Sequence, residues 1–131
     1  RRMFEPIAAE TERAVSAVMD AAFKVHRALG PGLLESVYEI CLCHELARQG
    51  IPFERQVNLP VVYEGVRLDA GLRLDLLVAN VVIVELKAVE QMIPLYEAQV
   101  LSYLKLTGKR LGLLINFNVA VLKDGFKRLV L

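Results

Sequence analysis

Apolar residues near the start of the chain have the spacing of two amphipathic helices. Over residues 8–29 they recur at intervals of three and four, so we predict one helix there. Gly30-Pro31-Gly32 ends that helix, because glycine and proline both interrupt helical structure. A second helix is predicted over residues 33–49, where Gly50 supplies a C-terminal cap and Pro52 prevents continuation.

The middle of the chain changes to the alternating pattern and β-branched residues of strands. We predict strands over residues 53–63 and 66–79, with Glu64-Gly65 as the turn between them. Pro60 has no N–H to donate, so the first strand is expected at a sheet edge or with a bulge. This segment is therefore predicted to form a β-hairpin.

The rest of the chain predicts a helix between two buried strands, followed by a closing strand. Strands over residues 81–87 and 111–117 are almost wholly apolar at their cores, as strands covered on both faces are. The helix between them begins near Pro94, a residue favoured in the first turn, and ends at Gly108. With a last strand over residues 126–131, the predicted order is α-α-β-β-β-α-β-β.

Composition narrows the class of protein. The chain has 131 residues, 55% of them hydrophobic, and a net charge of +1. We therefore expect one α/β domain over residues 1–131, with a mixed sheet flanked by helices. A near-neutral charge confines any nucleic-acid site to a local surface. The high apolar fraction and small size favour a homo-oligomer, a homodimer being the simplest.

Cellular location is predicted from what the sequence contains. Cys41 and Cys43 form no CxxC pair, and two small thiols of this kind are typical of a reducing compartment. The longest uncharged run, residues 111–122, is too short to cross a bilayer. No pattern of a signal peptide is visible. We expect a soluble cytoplasmic protein without a membrane partner.

Two carboxylates and a lysine stand near the ends of the second and third predicted strands. Because side chains alternate along a strand, Glu85 and Lys87 share a face of the third strand. On the second strand, Asp75 is expected on the face opposite to that of Leu74 and Leu76. A tight hairpin between these strands would bring Asp75 close to Glu85 on one face of the sheet. The simplest interpretation of Glu85 and Lys87 is an ion pair at a strand end.

A hard divalent cation would offset the cost of keeping these acidic groups at a buried strand end. Mg²⁺ or Mn²⁺ prefers carboxylate oxygens and water, and Asp75 and Glu85 supply two such ligands. A lysine beside the metal could orient an attacking water or stabilise charge on a phosphate. The spacing D-x₉-E-x-K is what metal-assisted phosphodiester hydrolysis needs.

Two helical pairs add candidate residues. Glu35 and Tyr38 are three residues apart at the start of the second helix, so they share a face. Gln99 and Tyr103 are four apart on the third helix and do the same. A glutamate in a first helical turn also favours the helix dipole, and a Gln/Tyr pair also suits a helix surface, so both interpretations stay open.

Several separate motifs together resemble one protein family. They are GLLESVY, RLDLLV, VIVELKA, EAQVLSYLKLTG and GLLINFN, in this order along the chain. Over about residues 25–131 the sequence resembles the GxxExxY proteins, which look like a compact branch of the PD-(D/E)XK nuclease superfamily. The resemblance implies the αβββαβ core of restriction-endonuclease-like proteins, with one extra N-terminal helix and one extra C-terminal strand.

The resemblance also implies roles for individual residues. Asp75 would be the acidic residue of the PD half, with Leu74 in place of the proline, and Glu85 and Lys87 would form the (D/E)XK half. Glu35 would complete the Mg²⁺ or Mn²⁺ site, helped by the main-chain carbonyl of Leu86. Four further side chains would contact the nucleic acid from the helices that flank the strands: Gln99, Tyr103, Tyr38 and His26.

Three functions follow from these interpretations. The first is a metal-dependent nuclease that hydrolyses the phosphodiester bonds of DNA or RNA. The second is a non-catalytic nucleic-acid-binding module on the same fold, since a small near-neutral domain lacks a separate binding domain. The third is an assembly protein, which the high apolar fraction favours. A half-buried structural role for His26 also stays open, because it lies on the apolar face of the first helix.

Overall fold

The computed structural model describes residues 5–131, and the first four residues of the predicted domain lie outside that range. Within it, three α-helices and five strands follow the predicted order. The elements are α1 (Ala9–Leu29), α2 (Glu35–Arg48), β1 (Phe53–Tyr63), β2 (Val66–Val78), β3 (Val82–Lys87), α3 (Pro94–Thr107), β4 (Leu111–Asn116) and β5 (Phe126–Val130). A short 3₁₀ turn, Leu122–Gly125, occupies the segment before β5.

The five strands form one mixed sheet in the order β1-β2-β3-β4-β5. Strands β3 and β4 are parallel and connected through α3, whereas the other neighbouring pairs are antiparallel. All six residues of β4 are buried, as the apolar run predicted. The predicted α/β class with a mixed sheet flanked by helices is therefore confirmed.

Helices cover both faces of the sheet. Side chains of α1 and α2 pack with Leu76, Val84 and Ile115 in the larger hydrophobic core. On the other face, Leu104 of α3 packs with Ile83. Helix α3 also comes close to β4, since a β-carbon at residue 112 would lie 2.6 Å from a side-chain carbon of α3. Glycine at this position therefore lets α3 lie close to the sheet.

The β1–β2 hairpin extends beyond the rest of the sheet. Its register shifts between Leu59 and Val61, so the bulge predicted at Pro60 is present. Four large apolar side chains of this arm are exposed: Val62, Tyr63, Val66 and Leu68. Among residues 5–131, no helix has the length and apolar character needed to cross a membrane.

Candidate active site

The predicted proximity of Asp75 and Glu85 is present in the structure. Strands β2 and β3 pair regularly as far as Leu76 and Val84, so the next two residues, Asp75 and Glu85, lie opposite each other. Beyond this point carboxylates replace backbone carbonyls as acceptors. The amide of Asp75 donates to Oε1 of Glu85 at 3.0 Å, and the amide of Leu86 donates to Oδ2 of Asp75 at 2.8 Å.

The regular alternation of faces predicted along β2 is interrupted at Asp75. Leu76 packs in the core beneath α1 and α2, whereas Leu74 packs in the core beneath α3. Two residues that are two apart in a regular strand share a face, so β2 changes face at Asp75. The Asp75 side chain is thereby directed along the sheet toward β3, where it accepts the Leu86 amide hydrogen bond.

Burial disfavours the ionisation of both carboxyl groups. Burial, followed by the charge of Asp75, raises the pKa of Glu85 to about 8. Burial also raises the pKa of Asp75, although the hydrogen bond from the Leu86 amide partly opposes this rise. At neutral pH and without a cation, the pair therefore favours a shared proton.

Lys87 does not form the strand-end ion pair considered from the sequence. Within residues 5–131, none of the ion pairs includes Lys87. Its ammonium instead lies 4.3 Å from the centre of the Tyr96 ring, in a cation–π contact. Its positive charge still acts to lower the pKa of Glu85 and of Asp75. Sequence reasoning missed Tyr96, although it lies three residues before Gln99 on α3.

Glu35 is the first residue of α2 and lies near the carboxylate pair. Partial desolvation of its carboxyl group, followed by the charge of Asp75, raises the pKa of Glu35, while the charge of Lys87 lowers it. Glu35 therefore lies close enough to Asp75 and Lys87 to be affected by their charges. The residue is exposed, so its carboxyl group is accessible from solvent.

Helix α3 presents its candidate residues to the same region. Burial raises the pKa of Tyr103, and the charges of Glu85 and Asp75 add to the effect. Gln99 lies one turn earlier and is half-buried. One face of α3 therefore carries Tyr96, Gln99 and Tyr103. Tyr96 contacts Lys87, and Tyr103 lies near the carboxylates.

Tyr38 and His26, both predicted to contact substrate, have internal partners. Tyr38 is 0% exposed, its hydroxyl donates to the Gly30 carbonyl at 2.6 Å, and it accepts from the Leu33 amide at 3.1 Å. Nε2 of the buried His26 donates to the Val119 carbonyl at 2.8 Å. In this structure both residues support the fold, Tyr38 by holding the turn that precedes Glu35.

A buried carboxylate beside the site was not predicted from the sequence. Glu39 is 5% exposed and accepts hydrogen bonds from Nε and Nη2 of Arg55 and from Nε2 of Gln56. It lies one turn after Glu35, so the shared helix face was the available signal. Its charge also contributes to the raised pKa of Asp75, after the larger effect of burial.

The oxygen atoms at this site suit a hard divalent cation. Mg²⁺ commonly takes one or two protein carboxylates and completes its shell with water, and Asp75 and Glu85 are two adjacent carboxylates. A cation would also offset the burial that raises both pKa values and the charge of Asp75 that further raises the pKa of Glu85. The described part of the chain has no preformed group of three or more His, Cys, Asp or Glu side chains for a metal.

Comparison with known proteins identifies the family. A family model described as the PD-(D/E)XK nuclease superfamily matches residues 12–129, which is most of the chain. The chain belongs to the PD-(D/E)XK nuclease superfamily. No curated protein and no solved structure gave a match.

Membership of the PD-(D/E)XK superfamily agrees with the architecture. The five-stranded mixed sheet flanked by helices is consistent with a restriction-endonuclease-like fold. Nucleases of this superfamily act on nucleic acids and typically use divalent metals. The family match therefore supports a nuclease-type function.

Proposed function

We propose that this chain is a metal-dependent nuclease of the GxxExxY branch, built as one domain of residues 1–131. Its substrate is the phosphodiester bond of DNA or RNA. The observation that carries the proposal is the position of Asp75 and Glu85, which lie opposite each other on β2 and β3 with Lys87 two residues further on. The motif GLLESVY over residues 32–38 supports the branch.

Asp75 and Glu85 would hold Mg²⁺ or Mn²⁺, with help from Glu35 and the Leu86 carbonyl. The Leu86 amide faces Asp75 on β2. Because the N–H and C=O of one strand residue face the same neighbouring strand, the Leu86 carbonyl is directed to the same side. When bound, the cation would neutralise charge on the scissile phosphate and the leaving oxygen.

The remaining residues act on water and on the substrate. Lys87 would orient the attacking water or stabilise the phosphate charge, with Tyr96 fixing the direction of its side chain. Gln99 and Tyr103 would orient the nucleic acid from α3, where Tyr103 lies within reach of both carboxylates' charges. Hydrolysis breaks one P–O bond and adds a water oxygen to phosphorus.

Cleavage of labelled nucleic acids tests the proposal. Single- and double-stranded DNA and RNA are incubated with Mg²⁺, Mn²⁺ or EDTA, using the wild type, Glu85→Ala and Lys87→Ala. Exposed Glu64→Ala and Lys123→Ala are the matched controls, since they remove the same residue types away from the site. We expect metal-dependent cutting that is lost in the two site variants and kept in the controls. The proposal would be contradicted if both site variants still cut nucleic acid, or if the wild type cut none.

A non-catalytic nucleic-acid-binding module is the second candidate. One observation favours it: Asp75 and Glu85 already accept backbone hydrogen bonds, and the described residues hold no ready-made metal cage. This candidate predicts binding without cleavage that weakens steeply as salt concentration rises. Filter binding at several salt concentrations, alongside the cleavage assay, separates the two functions.

We further propose a cytoplasmic location, from the two cysteines, and a homodimer, from the exposed apolar side chains. Cys41 and Cys43 are free, and burial raises the pKa of the Cys43 thiol to about 11, which suits unreactive thiols in the cytoplasm. The exposed apolar side chains of the β1–β2 arm, among them Tyr63 and Val66, favour a homodimer or another assembly. Sedimentation equilibrium of the wild type and of Tyr63→Ser tests the assembly.

A further inference from the structure

Gln56 has an unusual backbone conformation directly across from the site. Its φ is 50°, in the left-handed region that residues other than glycine rarely adopt. On the β1–β2 ladder it lies between the pairs Arg55–Leu76 and Val57–Leu74, which puts it opposite Asp75. A conformation of this kind persists only where surrounding contacts hold it.

Glu39 supplies those contacts from α2. One carboxylate oxygen accepts from Arg55 at 3.0 Å and 2.7 Å, and the other accepts from Gln56 at 2.8 Å. Two consecutive residues of a regular strand point to opposite faces, yet Arg55 and Gln56 both reach the same buried carboxylate. The left-handed turn of the backbone at Gln56 makes this possible.

The change of face in β1 coincides with the change of face in β2. On β1, Phe53 packs in the core beneath α1 and α2, whereas Val57 packs in the core beneath α3. On β2, Leu76 and Leu74 divide between the same two cores. Both strands therefore turn over together between these residues, and Asp75 lies at the turning point.

We infer that Glu39 and Gln56 are positioning residues for the carboxylate pair. Through its hydrogen bonds to Gln56 and Arg55, Glu39 fixes the left-handed backbone of β1, and that backbone fixes where Asp75 places its carboxylate beside Glu85. The inference about geometry stands on the contacts, and its consequence for catalysis rests on the proposed nuclease function. Neither residue needs to touch the substrate.

Gln56→Asn is the most informative variant. Asparagine tolerates the left-handed region better than most residues, so the backbone conformation itself is not penalised. Its side chain is one methylene shorter, which withdraws the amide from Glu39. Glu39→Gln is the second variant, because it keeps the size of the side chain while removing its charge. Exposed Glu54→Gln on the same strand is the matched control.

Amide hydrogen exchange measured by NMR gives a readout that does not depend on activity. The amides of Asp75 and Leu86 are each protected by a carboxylate of the pair, so they report its position directly. We expect their exchange in Gln56→Asn to accelerate roughly tenfold or more. The amides of Leu113 and Leu114, inside the doubly paired β4, should keep the wild-type rate, and Glu54→Gln should change neither pair.

The outcomes separate the inference from the proposed function. Unchanged exchange at Asp75 and Leu86, or equal acceleration at Leu113 and Leu114, would overturn the positioning role. If the wild type cleaves nucleic acid, Gln56→Asn should lower kcat, expressed per folded molecule, more than it raises KM. A wild type without cleavage would contradict the nuclease proposal, while the exchange rates would still decide the positioning role.

Discussion

The carboxylates of Asp75 and Glu85 take over hydrogen bonds that the backbone would make in a continuous ladder between β2 and β3. Each carboxylate accepts from an amide of this junction, the Asp75 amide at 3.0 Å and the Leu86 amide at 2.8 Å. The strands are therefore held together at this point by groups whose charge depends on pH and on cations. Stability and ligand binding should be linked here.

Stability of the metal-free protein should fall as pH rises through the neutral range. The pKa of Glu85 is raised from 4.5 to about 8 on folding, so the folded protein binds more protons than the unfolded chain between these values. Glu85 alone should then lower the free energy of unfolding by at most about 1.4 kcal/mol per pH unit in this window. Urea unfolding in EDTA, from pH 5 to pH 8.5, measures the slope.

Mn²⁺ should counteract that fall, because a cation favours the ionised pair. Its stabilising effect is expected to increase with pH and to disappear in Glu85→Gln, which carries no charge at any pH. The same variant should also flatten the decline measured in EDTA. A decline of equal steepness in Glu85→Gln would show that another group causes it.

The apolar pattern was sufficient to predict the elements and their order. Strand β4 is a continuous apolar run, and only a central strand covered on both faces buries all of its residues. The turn after Val78 fixed the register that brings Asp75 opposite Glu85. These features depend on residues close together in the sequence, which is why the pattern predicts them.

The supporting contacts could not be predicted, because they join distant elements. Nothing near Glu39 in the sequence indicates that Arg55 and Gln56 would hydrogen bond to it, and a left-handed glutamine has no sequence signature. Tyr38 was predicted to contact substrate because it shares a helix face with Glu35, but a tyrosine buried in the core has the same spacing. Face sharing alone does not reveal which side chain is buried.

Tyr96 should hold Lys87 in a productive direction. Because the contact depends on the ring and not on the hydroxyl, Tyr96→Phe is expected to keep near wild-type cleavage. Tyr96→Leu should lower kcat/KM roughly two- to fivefold, the equivalent of about 0.5–1 kcal/mol. Steady-state cleavage kinetics of both variants provide the measurement. Equal losses in the two variants would point to the hydroxyl instead of the ring.

Tyr38→Phe should affect stability much more than cleavage. The substitution removes the hydroxyl that bonds to Gly30 and Leu33 but keeps the ring stacked on Phe117, with centroids 4.6 Å apart. We expect the free energy of unfolding to fall by about 1–3 kcal/mol, as measured by urea unfolding. Cleavage per folded molecule should stay near wild type. Lower kcat at unchanged stability would instead assign Tyr38 a role toward substrate.

The close approach of α3 to the sheet depends on Gly112. A β-carbon there would lie 2.6 Å from Cγ1 of Val100, so Gly112→Ala should displace α3, which carries Gln99 and Tyr103. We expect urea unfolding to show a loss of about 1–3 kcal/mol, together with reduced cleavage. Val100→Ala alone creates a cavity, yet combined with Gly112→Ala it removes the overlap. The double variant should therefore be more stable than the two single losses add up to. Strict additivity would mean that the two side chains do not compete for the same space.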